Sequence, residues 1–317
     1  MKNPELIAKK QGSLREAFGE SITKLANNNK KIILLDADIA GGTGAHHFRK
    51  KHFKQFIQCG IAEQNMISVS AGIASLGFIP IATTFAVFAL RAFEQARLSV
   101  SYSNLNVKIV ASHGGIDTGP DGASAQCIED LACFRSLPNF VVLCPSDSNE
   151  MYQATKAILK HKGPVYMRTG RSNINNFYNK NYKFKIGKGH VLNEGKEICI
   201  FSTGIQTSIA FKAVKTLKMK GVNTTLISMP TIKPIDKKII IKYSKKNKYF
   251  ISFEDHSIIG GLGAAISEVI AEGNFVKLIK LGINDEIGRS GEANELRKKF
   301  KLDQAHLIKT VLRLKKY

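Results

Sequence analysis

The sequence predicts an α/β protein with two domains, each a mostly parallel sheet flanked by helices. Three observations predict it. Strand-length apolar runs alternate with helical patterns along the whole chain, as in parallel sheets covered by helices. The 317 residues suggest about two domains at roughly 150 residues each. A polar stretch, "GRSNINNFYNKNYKFKIGKG" (170–189), rich in Asn and Lys and poor in apolar periodicity, separates two alternating halves as a linker.

The elements follow in order. "KIILLDAD" (31–38) reads as a buried strand ending in acids, 64–77 as a helix of small residues, and "FIPIATTF" as the next strand. In "FALRAFEQARLSVSY" apolar residues recur at helical spacing, with Phe93, Ala96, Leu98 and Val100 near one face. "NVKIVAS" and "NFVVLCPSD" are short buried strands. Asp147 and Ser148 cap a helix through Ile158, and "PVYMRTG" is a further strand. Beyond the linker, "EICIFSTG" is a strand, 205–220 a helix, and "VNTTLISM" and "KYFISFED" are strands. Glycines open the helix in "GGLGAAISEVIAEG", and "FVKLIKLG" is the last strand. In parallel α/β sheets function sits beyond the carboxyl ends of strands. The loops to examine therefore follow Asp38, Phe85, His113, Asp147, Arg168, Gly204 and His256.

Composition narrows the class. Hydrophobic residues make up 44% and charged residues 23%, the mix of an ordinary globular protein. The longest apolar run, Ile67 to Ile81, is broken by Ser68, Ser70, Gly72, Ser75 and Gly77, so no membrane span is expected. "MKNPELIAKK" has no apolar signal core, which points to the cytoplasm. Five scattered cysteines without a C-x-x-C pair suggest buried free thiols, with neither disulfides nor a zinc site. The net charge of +22 comes from dispersed lysines without aromatic interleaving or a nucleic-acid motif. Solvated lysine faces explain it better than nucleic-acid binding, and the charge favours small anionic substrates.

Several residues could carry chemistry. Glu63, in "GIAEQNM", places a carboxylate at the front of the uncharged run; it either starts a helix or stands in an apolar wall for catalysis. Phe85 and Phe88, at a strand-to-helix junction, are either core or a stacking platform for a flat heterocycle. "HGGIDTGPDGASAQCIED" puts His113 and Asp121 in a glycine-rich loop that is either a plain crossover or a polar-substrate site. "EDHSIIGGLG" lacks the spacing of a phosphate-binding loop, so a tight strand-to-helix turn is favoured there.

In order, "GIAEQNM", "TTFAVFALRAFEQ" and "SHGGIDTGPDGASAQCIEDLACFRSLPNFVVLCPSD" resemble the pyrimidine-binding domain of transketolases. The resemblance runs through "PVYMRTGR" and into a C-terminal domain with "FEDHSIIGGLGAAISEV" and "LGINDEIGRSGEANEL". It implies a pyrimidine-binding domain over 1–175, a linker over 176–190 and a transketolase C-terminal domain over 191–317. It also implies thiamine diphosphate as cofactor. Glu63 matches the glutamate that hydrogen-bonds the aminopyrimidine, with Phe85 and Phe88 as its aromatic wall. Asp38 matches an acid near the cofactor, and Arg91 falls at a cofactor-side position that is aromatic in many members. His113 and Asp121 match residues that contact the sugar, and Arg168 an arginine that grips its phosphate. The implied reaction moves a two-carbon ketol unit from a ketose to an aldose.

Two departures bear on this. Many members have His where Ala125 stands in "GASAQ", which points to an altered donor or acceptor, such as a modified sugar. The Gly-Asp-Gly and later Asn that hold Mg²⁺ on the diphosphate do not occur in these 317 residues. A separate N-terminal-type subunit should supply them, with two copies of each chain in the assembly. The β subunit of a 2-oxo acid dehydrogenase E1 and a deoxyxylulose-phosphate-synthase-like enzyme are neighbouring alternatives. A non-catalytic regulatory or binding subunit is the alternative of another class.

Overall fold

The computed structural model describes residues 11–315 apart from Lys180 and Asn274, so the N-terminal "MKNPELIAKK" lies outside the described residues. The first unit comprises β1 (Gln11–Ser13), α1 (Leu14–Ala26), β2 (Ile32–Asp36), α2 (Ala40–Thr43), α3 (Ala45–Lys51), β3 (Phe56–Gln58), α4 (Glu63–Ser75) and β4 (Ile79–Phe85). It continues through α5 (Ala86–Arg91), α6 (Phe93–Gln95), β5 (Lys108–Ser112), α7 (Asp130–Ser136), β6 (Val141–Leu143), α8 (Ser148–Lys160), β7 (Val165–Arg168) and β8 (Asn173–Asn175). The second has β9 (His190–Asn193), β10 (Glu197–Ser202), α9 (Gln206–Met219), β11 (Thr225–Ser228), β12 (Thr231–Lys233), α10 (Lys237–Ser244) and β13 (Asn247–Ser257). It closes with α11 (Leu262–Ala271), β14 (Lys277–Ile283), α12 (Ala293–Lys299) and α13 (Gln304–Leu314).

The expected α/β architecture is present. One sheet has the order β12-β6-β7-β5-β4-β2-β3 and the other β14-β13-β10-β11-β9. All pairings in them are parallel except β12 with β6 and β9 with β11. The central strands β2, β4 and β5 are apolar runs with buried faces on both sides, as a sheet covered by helices requires.

Three local expectations change. The stretch after "NVK" is regular, but "FALRAFEQARLSVSY" is not one helix. It breaks at Ala92 and continues as a wider π-turn over 96–101. Ala96 and Val100 are buried while Leu98 is exposed. Two residues beyond Ala96, Leu98 lies about 200° round the helix and cannot share that face. The polar linker is packed. Asp147 caps α8 through Glu150 N at 2.8 Å, and its other oxygen accepts Phe177 N and Tyr178 N, both at 2.8 Å. Phe177 and Tyr178 are then buried among apolar residues of the second unit, which the polar composition around them hides. Finally, the units are not separate in their sheets. β12, from the second, pairs with β6 of the first, and one buried cluster runs from Leu35 and Ala82 through Cys144 to Phe201 and Phe250.

The edge that carries the loops is braced by close backbone packing. At Gly19 of α1 a Cβ would lie 2.1 Å from the carbonyl oxygen of Gly44, where α2 meets α3. Gly19→Ala should therefore push α1 from α3 and lower stability by about 1–3 kcal/mol, as overpacking does; a urea melt measures it.

Candidate active site

Because β2 to β5 and β7 run parallel, Asp38, Glu63, Phe85, His113 and Arg168 all fall at or just beyond the carboxyl ends of strands along one edge. Glu63 is the first residue of α4 and 3% exposed. Its place in the first turn suits the helix dipole, so it does start a helix. Yet its carboxylate accepts no hydrogen bond among the described residues. The nearest cation, Nε of Arg91 on α5, stands 3.8 Å from Oε2. A buried carboxylate normally takes several donors, and among the described residues this one has only the Arg91 guanidinium beside it.

Phe85 ends β4 and Phe88 lies one turn on in α5. Their rings are near parallel, 11° apart with centroids at 5.6 Å, and both are half-buried. Phe85 also stacks on His113 at 3.8 Å. A Cβ at Gly42 would meet the Phe85 ring at 2.5 Å, so α2 must be bare there for the ring to fit.

His113 has a left-handed backbone with φ of 59°, uncommon for a non-glycine residue. It is buried, with Nδ1 2.8 Å from Ser112 Oγ. Ser112 gives its single hydroxyl proton to Gly42 O at 2.8 Å, so toward His113 it accepts. Nδ1 therefore carries the ring proton and Nε2 keeps a lone pair. Burial, with Arg15 and Arg171 adding to it, lowers the His113 pKa from 6.5 to about 4. A folded-state value below the unfolded one means the linked stability is complete above about pH 6.5 and is lost as pH falls toward 4. An NMR titration of the ring Cε1–H should accordingly find His113 neutral through pH 6, with its midpoint near 4.

Arg168 departs from expectation. It is buried, and its Nε and Nη2 bind the two oxygens of Asp130 at 2.9 and 2.7 Å. Nη1 donates to Asp255 O at 2.6 Å and Nη2 also to Cys127 O at 2.8 Å. Tyr166 completes the Asp130 shell with its hydroxyl at 2.5 Å. A guanidinium spent in this way has no fork left for a phosphate; it balances a buried acid. Three residues on, Arg171 is partly exposed and pairs with Asp121, Nη1 to Oδ1 at 3.3 Å. "RTGR" offers two arginines, and only burial separates the partly exposed Arg171 from the buried Arg168. Arg168→Met should cost about 3–5 kcal/mol by stranding Asp130, seen in a urea melt. A purely substrate-gripping arginine would leave stability unchanged.

The remaining residues are placed plainly. Asp38 is exposed, with its backbone N donating to Gln58 Oε1 at 3.1 Å. The buried acid of that loop is Asp36, which accepts Ile39 N at 3.1 Å and Thr83 Oγ1 at 3.3 Å. Asp121 is exposed and Ala125 half-buried in the loop after His113. All five cysteines are unpaired, but only Cys127, Cys144 and Cys199 are buried as expected, and Cys59 and Cys133 are partly exposed. Among the described residues no helix is long and apolar enough to cross a membrane.

These features describe an α/β subunit with a donor-less carboxylate and a stacked aromatic pair at the carboxyl ends of parallel strands. The chain belongs to the transketolase family. Residues 10–176 match the transketolase pyrimidine binding domain and 187–307 the transketolase C-terminal domain. A Methanocaldococcus jannaschii protein provisionally named transketolase C-terminal section is 43% identical over 304 residues, 94% of this chain and 95% of its own. A 6-deoxy-6-sulfo-D-fructose transketolase subunit, SqwH, from a Clostridium species is 33% identical over 310 residues, covering 98% and 96%. Human transketolase is 34% identical over 97% of this chain, which spans 50% of the human protein's length. A solved split-gene transketolase, described as an inactive β4 tetramer, superposes with a TM-score of 0.89 at 39% identity, covering 95% of this chain and 97% of that one. The family implies dependence on thiamine diphosphate.

Proposed function

We propose that this chain is the pyrimidine-side half of a two-chain transketolase that moves a two-carbon ketol unit from an anionic ketose to an aldose. The observation that carries the reading is the Glu63 carboxylate, buried and without a donor, on a helix packed against the one that bears Phe88 and Arg91. This donor set fits an aminopyrimidine: a carboxylate for a ring nitrogen and an aromatic face for the ring. Thiamine diphosphate, when bound, would supply the carbon nucleophile and electron sink that ketose C2–C3 cleavage needs.

The chain's own residues do the rest. Glu63 hydrogen-bonds the pyrimidine nitrogen through a shared proton, and Arg91 lies 3.8 Å from it on the solvent side. Phe85 and Phe88 orient the ring, and Asp38 stands at the mouth on the cofactor side. The Nε2 lone pair of His113 can accept a hydrogen bond from a sugar hydroxyl. Asp121 accepts from a donor hydroxyl, and Arg171, in place of Arg168, presents a guanidinium to the sugar's anionic group.

The partner dependence has separate support. Relatives that match this chain nearly end to end bear the names of a C-terminal section and of a subunit. Magnesium wants oxygen ligands and phosphate. Among the described residues the group of ligating side chains close enough to share an ion is Glu16 with His46 and His47, whose imidazoles do not suit it. Ile61, Leu76, Leu98 and Tyr102 are exposed apolar side chains at the two ends of α4 and in the segment packed on it. Ala125 and the sulfosugar activity in the name of one relative support a donor other than the ordinary pentose phosphates.

The test is reconstitution with a purified N-terminal-type subunit that carries Gly-Asp-Gly, in the presence of thiamine diphosphate and Mg²⁺. The chain alone should transfer no ketol group and the mixture should. Glu63→Ala in the mixture should lower kcat by roughly 10²-fold or more. Assays with xylulose 5-phosphate and 6-deoxy-6-sulfofructose then read the donor. Full turnover by the single chain, or an unaffected Glu63 variant, would overturn the reading.

A further inference from the structure

The "FEDH" strand end and the loop before α12 belong to the second unit, yet both reach the sugar-side loop of the first. Asp255, at the end of β13, accepts Ile116 N at 2.9 Å and Asp117 N at 3.1 Å through its two oxygens. The approach is close enough that a Cβ on Gly115, whose φ is 80°, would lie 2.3 Å from the Asp255 carboxyl carbon. Arg297, on α12, pairs through Nη2 with Oδ1 of Asp117. Gln126, at the far end of the loop, donates to Gly119 O at 3.1 Å and to Arg289 O of the second unit at 2.7 Å.

Asp117 is the hub of this contact. It is buried, and while Asp255 and Arg297 hold it from one side, its Oδ2 accepts Arg171 N at 2.9 Å and Ser172 N at 2.8 Å on the other. The Arg171 side chain in turn donates to Thr118 O and pairs with Asp121. Every link involves a charged group, and those at the buried Asp117 are shielded from water, where such bonds are strong and directional. The chain of contacts therefore runs from the second unit to the exposed Arg171–Asp121 pair.

We propose that the C-terminal domain positions the sugar-binding pair: Asp255 and Arg297 hold Asp117, and Asp117 sets where Arg171 and Asp121 stand. This rests on the transketolase reading for what Arg171 and Asp121 bind, but not for the positioning itself. Asp255, Arg297 and Asp117 are positioning residues, since none is placed against substrate or cofactor. The aspartates hold main-chain amides, so the substitution of choice is at Arg297, which is partly exposed and touches the hub through its side chain alone.

Two measurements test the proposal. In the reconstituted enzyme, Arg297→Met should raise donor KM roughly ten- to a hundredfold with kcat little changed, the cost of one hydrogen bond to a charged group. Arg297→Lys should recover part of the loss, and affinity for thiamine diphosphate should stay at the wild-type value. In the chain alone, hydrogen exchange at the amides of 116–121 and 171–172 should quicken in Arg297→Met while α11 keeps its protection. Unchanged exchange would overturn the proposal. So would faster exchange with an unmoved KM, or a fall in kcat at constant KM. If the wild-type mixture transfers no ketol group, the functional reading fails and the exchange data alone decide the positioning.

Discussion

The Arg168 guanidinium cannot be buried unless something neutralises it, and meeting that constraint joins the two halves of the molecule. Asp130, which also accepts the Tyr166 hydroxyl, answers it from the first unit, and the main-chain oxygen of Asp255 accepts its Nη1 from the second. An ion pair of this kind adds little net stability over an apolar filling, because desolvation offsets the attraction. Its consequence is geometric. Either unit moved alone would take the Asp255 carbonyl from Nη1 of Arg168 and leave a buried donor unpaired, so the units hold one mutual arrangement. The strand β12, paired in the neighbouring unit's sheet, and the apolar cluster shared across the boundary act in the same sense.

That arrangement decides what each acidic cluster does. Asp255 lies one residue beyond Glu254, which turns to the other side and accepts Leu262 N at 2.6 Å and Gly263 N at 2.8 Å at the start of α11. The "EDH" run therefore caps its own helix with one carboxylate and grips the neighbouring unit's loop with the next. Alternation along a strand sends consecutive side chains to opposite faces, which lets two adjacent acids serve two units. The plain strand-to-helix turn favoured from sequence is real, but it accounts for Glu254 and not for Asp255.

Much of the site was legible in the sequence, and the exceptions have a common cause. The placing of Glu63, Phe85 and His113 at strand ends was legible from the alternation of elements, whereas their roles came only from the family resemblance. Arg168 was misread because an arginine looks the same in sequence whether it faces an acid or a sugar. Arg171, three residues later, could be distinguished only once Asp130 was seen to consume the first guanidinium. The linker failed similarly: Phe177 and Tyr178 sit in a polar stretch, and Asp147, thirty residues earlier, is what draws them into the core.

The sequence by itself determined the alternation of strands and helices, the parallel sheets and the edge on which the site lies. Those follow from local periodicity and from a topological rule. Its motif order also identified the family. Only the tertiary structure decided which charged groups neutralise one another and which remain free. Glu63 is left without a donor, the proton of His113 is set by Ser112 and Gly42, and Asp117 joins two units. The physical reason is that burial fixes the cost of a charge, and burial is a property of residues far apart in the chain.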